Sequence, residues 1–298
     1  MLKNWLEAFR LRTLPLALSC IGMGSFLAAF YGNFSISVCI LSLTTTLFLQ
    51  ILSNLANDYG DSVHGADSAE REGPQRSVQR GSITSKAMFN SIIVFAILSF
   101  ISGILLLHFS VGIGSTTFYI FLGLGLAAIA AAIAYTNGKR PYGYSGLGDI
   151  SVFLFFGLLG VCGTYFLHSE SFEPLILLPA ASCGLFATGV LNINNIRDIK
   201  SDKAAGKNSI PVRLGKKNAI IYHAILITLG CLSSITFLII NEDYNAVLIV
   251  SISFMFFAKH LNKVYQSKNS IDLDPQLKFL ALSTLLFVLL FGISVLAL

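Results

Sequence analysis

Long apolar runs broken by short polar segments dominate this chain, and the runs show no period-two alternation. Each continues for about 20 residues, the length of a bilayer crossing. Helices are therefore predicted rather than a barrel, because in hydrocarbon each span must satisfy its own backbone. Nine stretches qualify: 14–32, 36–57, 88–109, 114–136, 147–168, 174–197, 219–240, 244–262 and 277–297. Lys259 and His260 close the eighth early. Ahead of the first, Met1 to Pro15 sets Trp5 and Phe9 in an amphipathic pattern with Lys3, Arg10 and Arg12. That pattern predicts an interfacial helix, and the lack of a small-residue cleavage site before a full-length span argues against a cleaved signal. The expected fold is all-α, a polytopic membrane bundle of about nine transmembrane helices forming one domain over 1–298.

Composition agrees: 54% of residues are hydrophobic, 12% are charged and mean hydropathy is +0.74. Such a chain has lipid as its main solvent. The 20 Lys and Arg then orient it. On this topology 3 precede the first span, 4 lie between spans 2 and 3, 2 between 4 and 5, 7 between 6 and 7, and 4 from the end of span 8 into the start of 9. The alternate loops hold none, which predicts a cytoplasmic N-terminus and a C-terminus on the far side. The net charge of +5 is thus a topology signal and implies no nucleic-acid partner. Cys20, Cys39, Cys162, Cys183 and Cys231 all fall inside apolar spans without metal-ligand spacing and read as small core residues.

Loops on the far side are a few residues long, whereas those near 58–87 and 198–218 are long and hold most of the candidate chemistry. Two acidic clusters end spans 2 and 6 on the same side: Asn54, Asn57, Asp58, Asp61 and Asp67, then Asn194, Asn195, Asp198 and Asp202. Carboxylates beside hydrocarbon are costly, so each cluster is a functional hypothesis. Their recurrence four spans apart fits a parallel internal duplication. Positions 54, 58 and 61 fall at i, i+4, i+7, and 194, 198 and 202 at i, i+4, i+8, so each set is expected along one helical face. Two facing stripes of carboxylate and amide oxygens suit Mg²⁺, a hard cation commonly held by one or two carboxylates together with substrate phosphates. Simple capping and solvation of helix ends is the bland alternative for any single Asp.

A metal of this kind implies an anionic ligand, and basic residues in the same loops supply its counter-charges. Arg71, Arg76 and Arg80 follow the first cluster, Lys139 and Arg140 end span 4, and Lys203, Lys207 and Arg213 follow the second. A diphosphate is the expected guest. Lys216, Lys217, Lys259, Lys263 and Lys268 read instead as topology signals against anionic membrane lipid.

Asn54 to Asp61, with Gly65, Asp67 and Gly73 to Arg76, resembles the first motif of the UbiA superfamily of intramembrane prenyltransferases. Asn194 to Asp202, continuing through Gly206, Lys207 and Pro211 to Gly215, resembles the second. Arg12 to Pro15, Pro141 to Asp149 and Gly163 to Tyr165 resemble the branch that prenylates 1,4-dihydroxy-2-naphthoate in menaquinone synthesis. The resemblance runs from about residue 5 to the last span. Lys139-Arg140 departs from that branch and is similar to the Lys-Arg pair of hydroxybenzoate-prenylating relatives.

The resemblance implies a UbiA-like bundle in the bacterial inner membrane, with its active site facing the cytoplasm. It further implies Mg²⁺-dependent transfer from a polyprenyl diphosphate to 1,4-dihydroxy-2-naphthoate, with loss of diphosphate and CO₂, giving demethylmenaquinone. Asp58, Asp61, Asp198 and Asp202, with Asn54 and Asn194, would hold the metal; Asn57, Asp67, Arg71, Arg76, Lys139, Asn195 and Lys207 would line the substrate site. Tyr135, Tyr142 or Tyr165 would offer a ring face to an allylic cation, and Asp149 would orient the acceptor hydroxyl or simply cap a helix. Two rivals stand beside this reading: a related enzyme acting on another acceptor such as 4-hydroxybenzoate, and a cation-coupled transporter, which would carry its carboxylates near the bilayer midplane in broken helices.

Overall fold

The computed structural model describes residues 2–64 and 75–297, and among these residues every regular element is helical. A short helix α1 (Leu2–Ala8) and a 3₁₀ turn (Leu11–Thr13) lead into α2 (Leu14–Phe30), α3 (Ile36–Val63), α4 (Ser85–Ser110) and α5 (Thr116–Ala134). The fifth crossing joins α6 (Gly148–Val152), a π-helical stretch (Phe153–Gly163) and α7 (Thr164–Ser169). Then come α8 (Leu177–Arg197), a short α9 (Ile199–Ala204), α10 (Ile210–Ile240), α11 (Tyr244–Gln266) and α12 (Asp274–Ala297). Nine helical segments among the described residues are long and apolar enough to cross a membrane, as the hydropathy pattern predicts.

Side-chain caps set several helix starts. Ser35, Thr84, Ser115 and Asp243 each accept a hydrogen bond from the backbone N–H three residues on, satisfying a donor that the helix itself leaves open. The predicted sixth span, 174–197, coincides with the segment Pro174–Arg197. Others run longer. α3 continues to Val63, because hydropathy marks where hydrocarbon ends and the helical ladder extends beyond it; α10 is broken at Gly215 (φ 72°, ψ 162°), so a short helical piece from Ile210 precedes the crossing, whose own ladder starts close to the expected 219. α11 likewise passes His260 and the expected end at 262, reaching Gln266. That histidine is fully buried: its Nε2 lies 2.9 Å from Nε2 of His223 and its Nδ1 lies 3.1 Å from Oε1 of Gln276. It is a core residue joining α10, α11 and α12.

The larger core unites α2, the π-helical stretch, α8, α10, α11 and α12. Phe186 stacks on Phe257 with centroids 4.4 Å apart and meets Phe287 edge-on at 5.2 Å, pairings worth about 0.5–1.5 kcal/mol each beyond area burial. Between helices in lipid, close approach matters more than hydrophobicity. α8 meets the π-helical stretch at two glycines, where a Cβ on Gly157 would lie 3.0 Å from Cα of Gly184. A second cluster packs Leu52, Leu55, Met88 and Ile92 of α3 and α4 against Trp5 and Phe9 of the N-terminal segment. A third gathers Val38, Leu106, Leu107, Phe118 and Leu167.

Candidate active site at the polar end of the bundle

A cavity of about 380 Å³ lies among α2, α3, α4, α5, the π-helical stretch and α8. Its depth is set by α3, whose Ser42 and Asp61 both line it; 19 residues of helix span about 28 Å. Most of its wall is apolar, with Leu49, Leu107, Phe155 and Leu191 among the contributors. One end is polar. There Arg10, Arg12, Arg76 and Lys207 meet Asn54, Asn57, Asp61, Asn194 and Asn195. Among the described residues four cations thus share the lining with one carboxylate, so this mouth suits an anion with a long apolar tail.

The first acidic cluster sits on one continuous helix, as its spacing predicts. Asn54, Asp58 and Asp61 are all buried near the end of α3. The Asn54 amide donates to the Phe9 carbonyl at 3.0 Å and to Thr13 Oγ1 at 3.2 Å, which ties the N-terminal segment to the site. Asp61 is held by three side chains: Arg76 Nη1 lies 2.5 Å from its Oδ2, the Tyr144 hydroxyl donates to its Oδ1 at 2.9 Å, and Lys207 Nζ lies 3.4 Å from the same oxygen. Arg76 also donates to the Asn57 carbonyl at 2.6 Å. Close contact between α3 and the chain beyond α5 makes this possible. Gly60 faces the Thr136 carbonyl, which a Cβ would meet at 2.6 Å, and Thr136 Oγ1 donates to the Ala56 carbonyl at 3.0 Å.

The second cluster departs from the expected single helical face. α8 stops at Arg197, Asp198 takes φ −97°, ψ 13°, and α9 begins at Ile199. At the break two adjacent side chains meet: Arg197 Nε donates to Asp198 Oδ1 at 2.8 Å and Nη2 donates to Oδ2 at 2.7 Å. Neighbouring residues on a regular helix do not face each other, so the fork and the break go together. Asp202 on α9 lies 3.4 Å from Lys207 Nζ through its Oδ1. Burial pushes the Asp202 carboxyl up to about 6, opposed by the Lys207 charge and reinforced by those of Asp198 and Asp61.

Lys207 therefore brings one oxygen from each cluster within reach of a single cation. The donors around it are carboxylates and amides, a set that fits a hard divalent ion such as Mg²⁺. Among the described residues no three acidic or Cys/His side chains gather closely enough to hold a metal by themselves. An ion here would complete its shell with amide oxygens, water and ligand phosphate, the usual habit of Mg²⁺.

Tyr135 and Tyr142 also line the cavity, with ring centroids 5.3 Å apart at 82°. Burial raises both phenols, as it does Tyr144, where the Asp61 charge adds to the effect, so all three are neutral hydrogen-bond donors. Other expected residues are placed elsewhere. Lys139 and Arg140 are exposed on the loop outside the cavity. Asp149 accepts a hydrogen bond from the Tyr222 hydroxyl at 3.0 Å and lies off the cavity lining, and Tyr165 packs edge-on against Tyr31. Asp67 and Arg71 lie outside the described residues. Arg80 pairs with Glu7, and Arg213 holds the Ser145 and Asn208 carbonyls. Sequence reading missed Arg10, Arg12 and Tyr144 as site residues. Arg12 belongs to a quoted motif, but only the turn at Arg10, with φ 50°, shows that the segment folds back over the mouth.

The family model for the UbiA prenyltransferase family matches residues 17–282. A 1,4-dihydroxy-2-naphthoate octaprenyltransferase of Haemophilus influenzae is 44% identical, over 99% of this chain and 96% of the relative. One from Escherichia coli is also 44% identical, over 96% and 94%. In fold, the chain is similar to a UbiA homologue from Aeropyrum pernix (TM-score 0.69, 17% identity, 97% and 98% of the two chains). It is also similar to a UbiA homologue from Archaeoglobus fulgidus bound to GPP and Mg²⁺ (TM-score 0.64, 17% identity, 99% and 100%).

Proposed function

This chain belongs to the UbiA prenyltransferase family, and from that membership we propose that it transfers a polyprenyl group from its diphosphate to 1,4-dihydroxy-2-naphthoate. The observation that carries the reading is the cation-rich mouth of a long apolar cavity. A polyprenyl diphosphate has that polarity, with an anionic head and a hydrocarbon tail, and the named relatives act with an octaprenyl group. We read residues 1–298 as one catalytic unit in the bacterial inner membrane. The distribution of Lys and Arg supports a cytoplasmic mouth.

Arg10, Arg12, Arg76 and Lys207 hold the diphosphate head, and Asn57 and Asn195 line the same pocket. Asn54, Asp58, Asp61, Asn194, Asp198 and Asp202 would hold Mg²⁺, which when bound supplies charge neutralisation for the leaving diphosphate. The allylic C1–O bond breaks and its electron pair leaves with diphosphate. Tyr135 and Tyr142 present rings to the cation, worth about 2 kcal/mol when desolvated, while the apolar wall keeps water away. The acceptor carbon bearing the carboxylate bonds to C1, and release of CO₂ returns a bonding pair to the ring. The product is a prenylated naphthalenediol, the quinol level of demethylmenaquinone. No electron acceptor is consumed.

The acceptor pair Lys139-Arg140 is exposed and off the cavity lining, so it offers hydroxybenzoate no contact there. The deciding experiment incubates purified protein with Mg²⁺, octaprenyl diphosphate and either acceptor, following prenylated product and CO₂. Product and CO₂ from the naphthoate alone is the expected result. Product from 4-hydroxybenzoate would overturn the acceptor, and product from neither would overturn the reading.

A further inference from the structure

Behind the cavity mouth, two arginines and two aspartates form a chain of charge. Arg12 Nη1 lies 3.0 and 3.1 Å from the oxygens of Asp274. Arg197 Nη1 lies 2.6 Å from Asp274 Oδ1, while its other nitrogens fork onto Asp198 and its Nη2 donates to Asn194 Oδ1 at 2.9 Å. Arg197 is fully enclosed, its side chain 0% exposed, whereas Arg12 is partly open and lines the cavity. The four formal charges sum to zero. Asp274, at the head of α12, is shared between one arginine that faces the cavity and one that never does.

We propose that Asp274 divides its charge between Arg12 and Arg197, and that Arg197 is the positioning residue through which this division sets how strongly Asp198 binds metal. The inference rests on the reading of the site given above. An arginine fork both orients Asp198 and drains its negative charge. The more of Arg197 that Asp274 neutralises, the more charge Asp198 keeps for a divalent ion. In the resting protein Arg12 takes part of Asp274. When an anionic head engages Arg12 at the mouth, Asp274 turns its charge toward Arg197, and the Asp198 carboxylate becomes a stronger metal ligand. Diphosphate and metal thereby assist each other across two residues that touch neither of them. Linkage makes the effect mutual.

The arrangement predicts substitutions of opposite sign that do not add, whereas a direct field effect of the same two charges would cancel in the double variant. Mn²⁺ binding to substrate-free protein in detergent, followed by electron paramagnetic resonance, reads the metal without turnover. Asp274→Asn weakens Mn²⁺ binding by about tenfold, within the range of ordinary coupling between sites. Arg12→Gln tightens it, because Asp274 then serves Arg197 alone. The double variant behaves as Asp274→Asn, since without the Asp274 charge there is nothing for the loss of Arg12 to redirect, and a return to wild-type affinity would overturn the proposal. Inorganic diphosphate tightens Mn²⁺ binding to the wild type, and Arg12→Gln removes most of that gain. Arg12→Gln leaves the buried Arg197 pairs in place, so it remains informative if Asp274→Asn folds poorly. Equal or same-sign changes in the two single variants overturn the proposal. Turnover of the wild type with naphthoate tests the enzymatic reading separately, so a failure of either is recognised as its own.

Discussion

Asp61 and Asp202, from the two acidic clusters, share one ammonium group: Lys207 Nζ lies 3.4 Å from Oδ1 of each. The two oxygens that a divalent ion would draw together are already held together by a monovalent one. The two clusters are thus already joined through this lysine, and a metal bound between them would have to take its place.

Replacing either carboxylate by the matching amide keeps shape and removes charge. Asp61→Asn and Asp202→Asn are expected to lower kcat by about 10²-fold or more, the scale set by loss of an electrostatic contact to a leaving group. Both variants should insert and elute as the wild type does in detergent. EDTA should stop the wild-type reaction and Mg²⁺ should restore it. Turnover near the wild-type rate in either variant would remove that aspartate from the metal site.

Acidity should act through Asp202, whose carboxyl burial pushes up to about 6. Metal binds the ionised form, so protons compete once pH falls through that value. Apparent Mn²⁺ affinity should hold steady above about pH 7 and then drop by about tenfold per unit below 6, if one proton is displaced. A flat profile down to pH 4.5 would mean that Asp202 is not a ligand.

Lys207→Met should separate two roles of this lysine. Without metal it takes the ammonium from Asp202 and leaves that carboxyl facing Asp61, which keeps its Arg76 pair, so thermal stability in EDTA should fall, by about 2–4 °C for each kcal/mol lost. Mg²⁺ should recover most of that loss, because it replaces the missing cation. The KM for polyprenyl diphosphate should remain raised even at saturating Mg²⁺. Equal Tm values for variant and wild type in EDTA would argue against the bridge.

Gly60→Ala places a methyl group 2.6 Å from the Thr136 carbonyl, a backbone atom that cannot rotate away. Either α3 or the segment after α5 must shift. Overpacking of this kind costs about 1–3 kcal/mol, and here it also moves Asp61 against Tyr144. Activity should fall further than stability does. A variant with wild-type kcat and Tm would show that the two segments are not locked together.

The nine apolar helices among the described residues were legible because lipid imposes a length and forbids long charged stretches, so the segment Pro174–Arg197 could be read to the residue. The convergence of Asn54, Asp61, Arg76 and Lys207 on one cavity was legible, since polar and charged groups beside apolar runs are costly and gather where they can face one another. The break at Asp198 was not, because helical spacing assumes a ladder that continues, and the fork that Arg197 makes onto Asp198 accompanies its end. Nor was Tyr144, whose value comes from a partner 83 positions away. His260 looked like the polar end of a span because hydropathy scores one residue at a time and cannot see His223 opposite it.

The two halves of the site differ mechanically as well as chemically. Asn54, Asp58 and Asp61 ride on a helix of 28 residues, and to move them the whole of α3 must bend. Asp202 rides on six residues of α9, bounded by the break at Asp198 and the left-handed turn at Gly206. Displacing Asp202 therefore requires a change in only a few backbone torsions at the two ends of α9, whereas displacing Asp61 requires α3 itself to bend.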